Sequence, residues 1–280
     1  MGLKITGKVI FTPSVQNGEA ENSKPPVEDA LFSGKSFDVS AQDSFPSGVT
    51  FNDDGSRMYM IGFDSDSVYQ YNLTSPFDVS TASFSSGDSF DISGQDGFPT
   101  GVALSTNGTR MFVVGSNNDS VYQYNLSTAF DITTASFSFN TLNVGGQDGI
   151  PSDITFNGDG TRMFLTGSLN TTVYQYNLST GFDLSTASFS NNSFDVSSEE
   201  TSPRGITFNN TGDRMFVIGF SDKVYEYSLT TGFDITTASL DNSFDTSSED
   251  DSPTGLAFND DFTRLFVMGS TNKKVFQYNL

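Results

Sequence analysis

Residues 99–137 read PTGVALSTNGTRMFVVGSNNDSVYQYNLSTAFDITTASF, and this stretch contains one complete unit of a repeat. GVAL and RMFVVG flank an Asn107-Gly108 pair, the strongest short-range signal for a β-hairpin. VYQYNL follows, then an STAFD corner, then TASF leading toward a fourth extended run. Valine, phenylalanine, tyrosine and isoleucine dominate these runs without any helical period. RMFVVG is apolar at successive positions, as a strand covered on both faces should be.

Outward from this unit the same pattern returns. Pro46, Pro99, Pro151, Pro203 and Pro253 each precede an arginine by eleven residues: Arg57, Arg110, Arg162, Arg214 and Arg264. VYQY or a close variant (VYEY, VFQY) begins at Val68, Val121, Val173, Val224 and Val275. Four strands in a unit of about 50 residues, repeated in tandem, predict an all-β fold, a β-propeller of four-stranded antiparallel blades. The two ends predict how the ring closes. Residues 36–46, SFDVSAQDSFP, match residues 89–99, SFDISGQDGFP, at eight of eleven positions, so they are a fourth strand whose first three strands do not precede it. The sequence ends at Leu280, where a fourth strand is due. The N-terminal strand therefore completes the C-terminal blade, giving five blades over residues 31–280 and removing exposed sheet edges. Residues 1–30, polar with three prolines between 13 and 30, read as an arm or linker.

Composition narrows the chemistry. The 280 residues include no cysteine, histidine or tryptophan. Disulfides, thiolate nucleophiles, Ser-His-Asp triads and histidine metal sites are excluded. A net charge of −21 argues against nucleic-acid backbones and anionic membranes as partners. The apolar runs are too short for a secretory signal or a membrane span.

Two repeated sets are candidate sites. The five arginines make either a ring of anion clamps or a structural element pairing with the Phe-Asp corner or with turn carbonyls. Three residues before each proline stands an acid: Asp43, Asp96, Asp148, Glu200 and Asp250. These loops should surround the mouth of the axial channel, where five acids could bind a hard cation such as calcium. The other reading is that each acid caps its own loop through backbone N–H groups. The loops between the second and third strands, near Phe63, Asn117, Leu169, Phe220 and Thr271, vary most and share that face; the variation marks either a recognition surface or drift on unselected surface. A catalytic site needs blades with different roles, and the near-identity of the motif positions argues against an enzyme.

The unit F-N-x-D-G-T-R-M-F-V-x-G resembles the repeats of surface-layer and lactonase-like β-propellers, with a polar residue where their signature has proline. The longer form, with S-T-x-F-D-[IL]-S-T-A-S and S-x-Q-D-x-x-P, is similar to propeller repeats of marine bacteriophage structural proteins. That resemblance implies a virion component, either capsid decoration or part of a tail or fibre. It would be made in the host cytoplasm, bound to other virion proteins through residues 1–30, and display the propeller toward host-surface glycan. A lectin-like module with pockets between blades is the alternative, and a lactonase- or glycosidase-like enzyme the third reading. No asymmetric ligand set matches the lactonase-like group, so none of its catalytic residues carries over.

Overall fold

The computed structural model describes residues 26–280 and contains five four-stranded antiparallel sheets, with no α-helix among the described residues. Blade one comprises β2 (Pro46–Phe51), β3 (Arg57–Gly62), β4 (Ser67–Leu73) and β5 (Ala82–Asp91). Blade two comprises β6 (Pro99–Leu104), β7 (Arg110–Gly115), β8 (Ser120–Leu126) and β9 (Ala135–Asn143). Blade three is β10 (Pro151–Phe156), β11 (Arg162–Gly167), β12 (Thr172–Leu178) and β13 (Ala187–Asp195). Blade four is β14 (Pro203–Phe208), β15 (Arg214–Gly219), β16 (Lys223–Leu229) and β17 (Ala238–Asp245). Blade five takes β18 (Pro253–Phe258), β19 (Arg264–Gly269) and β20 (Lys274–Asn279) from the C-terminus, and β1 (Leu31–Asp38) from the N-terminus. β1 pairs antiparallel with β20, from Leu31 opposite Asn279 to Asp38 opposite Lys274, so the ring closes as the repeat predicts.

The core lies between blades. On β3, Tyr59 and Ile61 pack with Val102, Met111 and Val113 of blade two, while Met58 and Met60 pack with Phe266 and Met268 of blade five. The double-sided apolar pattern of RMFVVG therefore serves two interfaces at once. The tyrosine that ends each VYQY-like element (Tyr71, Tyr124, Tyr176, Tyr227, Tyr278) is buried. Burial pushes each of their phenols up from the ordinary value.

The repeat begins earlier than its sequence pattern shows. Residues 27–29 form a short 3₁₀ turn like those at Val79–Thr81, Ile132–Thr134, Leu184–Thr186 and Ile235–Thr237. Val27 is buried, as are Val79, Ile132, Leu184 and Ile235. At least residues 26–30 thus belong to blade five rather than to an arm, and residues 1–25 of the expected arm lie outside the described residues. The corner escapes the pattern because it carries no Phe-Asp pair.

Its contacts use the repeat's own device, a side-chain acceptor seen at four of the five blade junctions. The Gln70, Gln123 and Gln277 side-chain carbonyls each accept the first N–H of the following blade's turn, from Ile132, Leu184 and Val79, at 3.0–3.2 Å. Between blades four and five the acceptor is Glu226, whose Oε2 receives the Val27 N–H at 2.9 Å. Glu226 is fully buried and pairs with Arg214 at 3.1 Å. Burial pushes its carboxyl above the ordinary range, against the pull of the Val27 N–H and Arg214.

The missing corner phenylalanine is replaced from elsewhere. In blades one to four a glycine with positive φ (Gly55, Gly108, Gly160, Gly212) sits in the β-hairpin turn under the ring of Phe77, Phe130, Phe182 or Phe233. A Cβ on Gly55 would stand 2.2 Å from the Phe77 ring. In blade five the glycine position holds Phe262, at φ 55°, and its ring stacks on Phe258 with centroids 4.8 Å apart. Phe258 and Phe216 lie 4.5 Å apart beside it, as Phe208 and Phe164 lie 4.3 Å apart beside Phe233. One aromatic fills the equivalent space by two different chain positions.

Candidate functional site at the channel mouth

Four of the five repeated arginines bond from one blade to the next. Arg57 donates to the Phe130 carbonyl, Arg110 to that of Phe182, Arg162 to that of Phe233 and Arg264 to that of Phe77, each reaching the corner of the following blade. Arg214 instead meets Glu226 of its own blade. Corner carbonyls, rather than the neighbouring aspartates, are the partners, and the repetition is that of a clasp.

Asp43, Asp96, Asp148, Glu200 and Asp250 do sit in the loops around the channel mouth, but their carboxylates turn away from it. All five are buried. Each accepts the N–H two residues onward, from Phe45, Phe98, Ile150, Ser202 and Ser252 respectively, at 2.6–2.9 Å. Each also accepts backbone N–H groups from the loop after the second strand, such as Ser65, Asn118, Asn170, Ser221 and Asn272, at 2.7–3.1 Å. The glycine that ends each second strand makes the bed. A Cβ on Gly62, Gly167 or Gly269 would lie 2.1–2.2 Å from the carboxylate carbon. The Gln or Glu preceding each acid accepts from a buried tyrosine hydroxyl instead, for example Gln147 from Tyr176 at 2.8 Å.

This geometry does not fit calcium. The carboxylates sit one per blade with their oxygens committed to N–H donors, and no group of three or more acidic side chains among the described residues could hold a metal ion. Accordingly, millimolar calcium is expected to leave the thermal midpoint unchanged. Asp148→Ala should destabilise by about 2–4 kcal/mol, through several orphaned buried N–H groups. Calorimetry with and without calcium checks both; a calcium-dependent midpoint abolished by Asp148→Ala would reverse this reading.

What the mouth does present is apolar. Phe45, Phe98 and Ile150, each next to the proline of its loop, are about half exposed and line a cavity of about 270 Å³ with Phe63. Phe63 stacks on Phe45 at 4.9 Å and lies 6.0 Å from Phe98. Leu169 and Phe220, from the equivalent variable loops of blades three and four, are exposed. The floor comes from the residue after each proline: Ser47, Thr100, Ser152, Arg204 and Thr254. At this position each inner strand carries a β-bulge, which re-aims the side chain. Four of the five are hydroxyls donating to the next blade's proline carbonyl: Ser47 to Pro99, Thr100 to Pro151, Ser152 to Pro203 and Thr254 to Pro46, at 2.8–3.2 Å. Arg204 interrupts this circle. Its guanidinium lies 4.1 Å from the centroid of the Phe220 ring. Burial pushes it down from the ordinary value, opposed by Glu200.

One residue deeper, glycine lines the channel in four blades, and the inner strands approach so closely that a Cβ on Gly255 would stand 3.0 Å from the Gly48 Cα. Blade three has Asp153 there. Its Oδ1 accepts the Ile154 N–H at 2.8 Å and its Oδ2 the Ile206 N–H at 2.9 Å, bridging two blades. Protein surrounds it while the channel lumen leaves it partly accessible, and burial pushes its carboxyl up to about 7 despite both N–H donors. At the far mouth the charges are Asp53 and Asp260; burial, then Asp260, raises the Asp53 carboxyl. The channel thus carries a cation near one mouth and acids within and at the other. Arg204 and Asp153 are the two positions sequence reasoning passed over. Their signal was available as departures from P-[ST]-G, in PSDIT and PRGIT.

Because the folded-state carboxyl of Asp153 is raised, the native protein binds more protons than the unfolded chain between the ordinary value of 3.8 and about 7. This group's contribution to stability therefore falls as pH rises through that window and is level above it. Asp153→Gly, which restores the repeat, should remove that slope, so the variant gains on the wild type from pH 5 to pH 8. Denaturant titrations at both pH values test this; parallel profiles would contradict it.

No protein-family model matches the chain, and no curated protein sequence is significantly similar to it. Solved structures are similar in fold. A Lactobacillus plantarum protein shares 16% identity at a TM-score of 0.51, over 84% of this chain and 67% of its own. A Bacteroides uniformis protein, provisionally assigned as a 6-phosphogluconolactonase, shares 12% at 0.52, over 82% and 65%. A protein of unknown function from Desulfotomaculum acetoxidans shares 13% at 0.49, over 80% and 62%. The chain spans less than two thirds of the length of the latter two. At these identities the likeness to the Lactobacillus plantarum and Bacteroides uniformis proteins is one of fold, the β-propeller.

Proposed function

We propose that this chain is a non-catalytic recognition propeller, displayed as a structural protein of a phage-type virion and contacting host-surface glycan through the channel mouth. The observation that carries the recognition reading is the apolar mouth itself. Phe45, Phe98, Ile150, Leu169 and Phe220 are exposed on one face of a chain with a net charge of −21. Exposed aromatics gathered around a cavity mark interaction sites, and a rigid repeat is a sound platform for them. Placement on a virion, with residues 1–25 contacting other virion proteins, follows from the repeat resemblance.

The test is binding of the full chain to an array of bacterial surface glycans, with Phe45→Ser and Phe98→Ser as variants. Loss of binding with an unchanged thermal midpoint supports the mouth as the recognition face. Undiminished binding at several equivalent sites per chain would favour the lectin-like module with pockets between blades. Turnover of a lactone or glycoside that a single substitution abolishes would favour an enzyme.

A further inference from the structure

We infer that the mouth binds a compact monocarboxylate carried on a ring-sized body, with Arg204 as its anchor. The inference rests on the reading that this face does the recognising, and not on where the protein is displayed.

Arg204 is the one arginine outside the repeated clasp. Among the described residues its guanidinium donates no hydrogen bond and forms no ion pair, whereas the other five arginines all have a carbonyl or carboxylate partner. It is nonetheless placed rather than loose. The bulge in β14 aims it into the cavity, and the Phe220 ring, 4.1 Å away, supports its face while leaving the N–H edges open. A planar fork of donors beside an apolar wall is the arrangement that takes a carboxylate in two parallel hydrogen bonds.

Charge decides between anions. Arg204 offsets one negative charge, and Glu200 stands close enough to act on it. A second negative charge on the ligand would face that carboxylate and the acidic field of the whole chain, so a phosphate dianion is disfavoured against a carboxylate. Size sets the remainder. A volume of about 270 Å³ walled by Phe45, Phe63, Phe98 and Ile150 holds one ring. An acidic sugar at the end of a glycan and a free aromatic acid both have this chemistry.

The experiment is calorimetric titration of the full chain with methyl β-glucuronide and benzoate, against the neutral methyl β-glucoside and benzamide, and with phenyl phosphate. Arg204→Thr is the informative variant. It installs the hydroxyl found at the same position in blades two and five, so the fold is retained, and a thermal midpoint confirms it. Binding of either carboxylate ten- to a hundredfold more tightly than its neutral partner, with that preference lost in Arg204→Thr, is expected for charge-assisted hydrogen bonds of roughly 1.5–3 kcal/mol. The glucuronide alone would identify the acidic sugar as the source, and benzoate alone the aromatic acid. Equal binding of charged and neutral partners, tighter binding of phenyl phosphate, a preference that survives Arg204→Thr, or no binding of any probe would overturn the inference. If none of the probes bind while glycan binding still depends on Phe45 and Phe98, the ligand class fails and the recognition face stands.

Discussion

Replacing Phe262 by alanine is expected to lower stability by about 3–5 kcal/mol, the cost of removing a buried phenylalanine and leaving its cavity. The ring packs on Phe258 and Phe216, and no corner phenylalanine of blade five is present to take its place. The substitution has a second signature. Phe262 has φ 55°, a conformation glycine adopts without strain and alanine does not. Phe262→Gly should therefore be about 1 kcal/mol less damaging than Phe262→Ala, the reverse of the usual order in extended or helical backbone. Chemical denaturation of both variants checks this. Near-wild-type stability for Phe262→Ala would show that the ring does not substitute for Phe77 and its equivalents.

Deleting residues 26–38 is expected to have the larger effect of the two. It removes β1 and the Val27 turn, exposes the β20 edge, and uncovers Val275, Phe276 and Tyr278, which are buried in the closed ring. Each uncovered side chain is worth about 1.5–3 kcal/mol, so the loss approaches the whole stability of a typical domain, about 5–15 kcal/mol. The deletion also takes the Val27 N–H from Glu226, leaving that buried carboxylate to its pair with Arg214. An open sheet edge beside new apolar surface should make the product self-associate. Gel filtration and thermal melting test this. A monomeric variant with an unchanged midpoint would mean that the first three strands of blade five suffice.

These two predictions mark where the sequence was readable and where it was not. The blades, their strands and the ring closure follow from five copies of one pattern, because repetition removes the ambiguity of any single short strand. The turn at residues 27–29 was missed because Pro25-Pro26 stands in the sequence where its counterparts carry Phe-Asp, and Phe262 because its role is set by a ring absent elsewhere in the chain. At the channel mouth the loops of Asp43, Asp96, Asp148, Glu200 and Asp250 were placed on the expected face. The direction of their carboxylates depends on Gly62 and its equivalents, which lie nineteen residues away in sequence. Arg204 and Asp153 were visible as breaks in the repeat, yet a search for what recurs passes over what does not. In a fold of near-identical blades, the departures are where one blade acquires a role the others lack.

The most direct measurement is a methyl NMR map of the full chain, titrated with the bacterial surface glycan that binds it best on the array. The account predicts shifts gathered at one mouth of the channel, at Ile150, Leu169 and Thr254, with a single site per chain. Shifts spread over five equivalent positions between blades, or confined to the far mouth near Asp53 and Asp260, would contradict it.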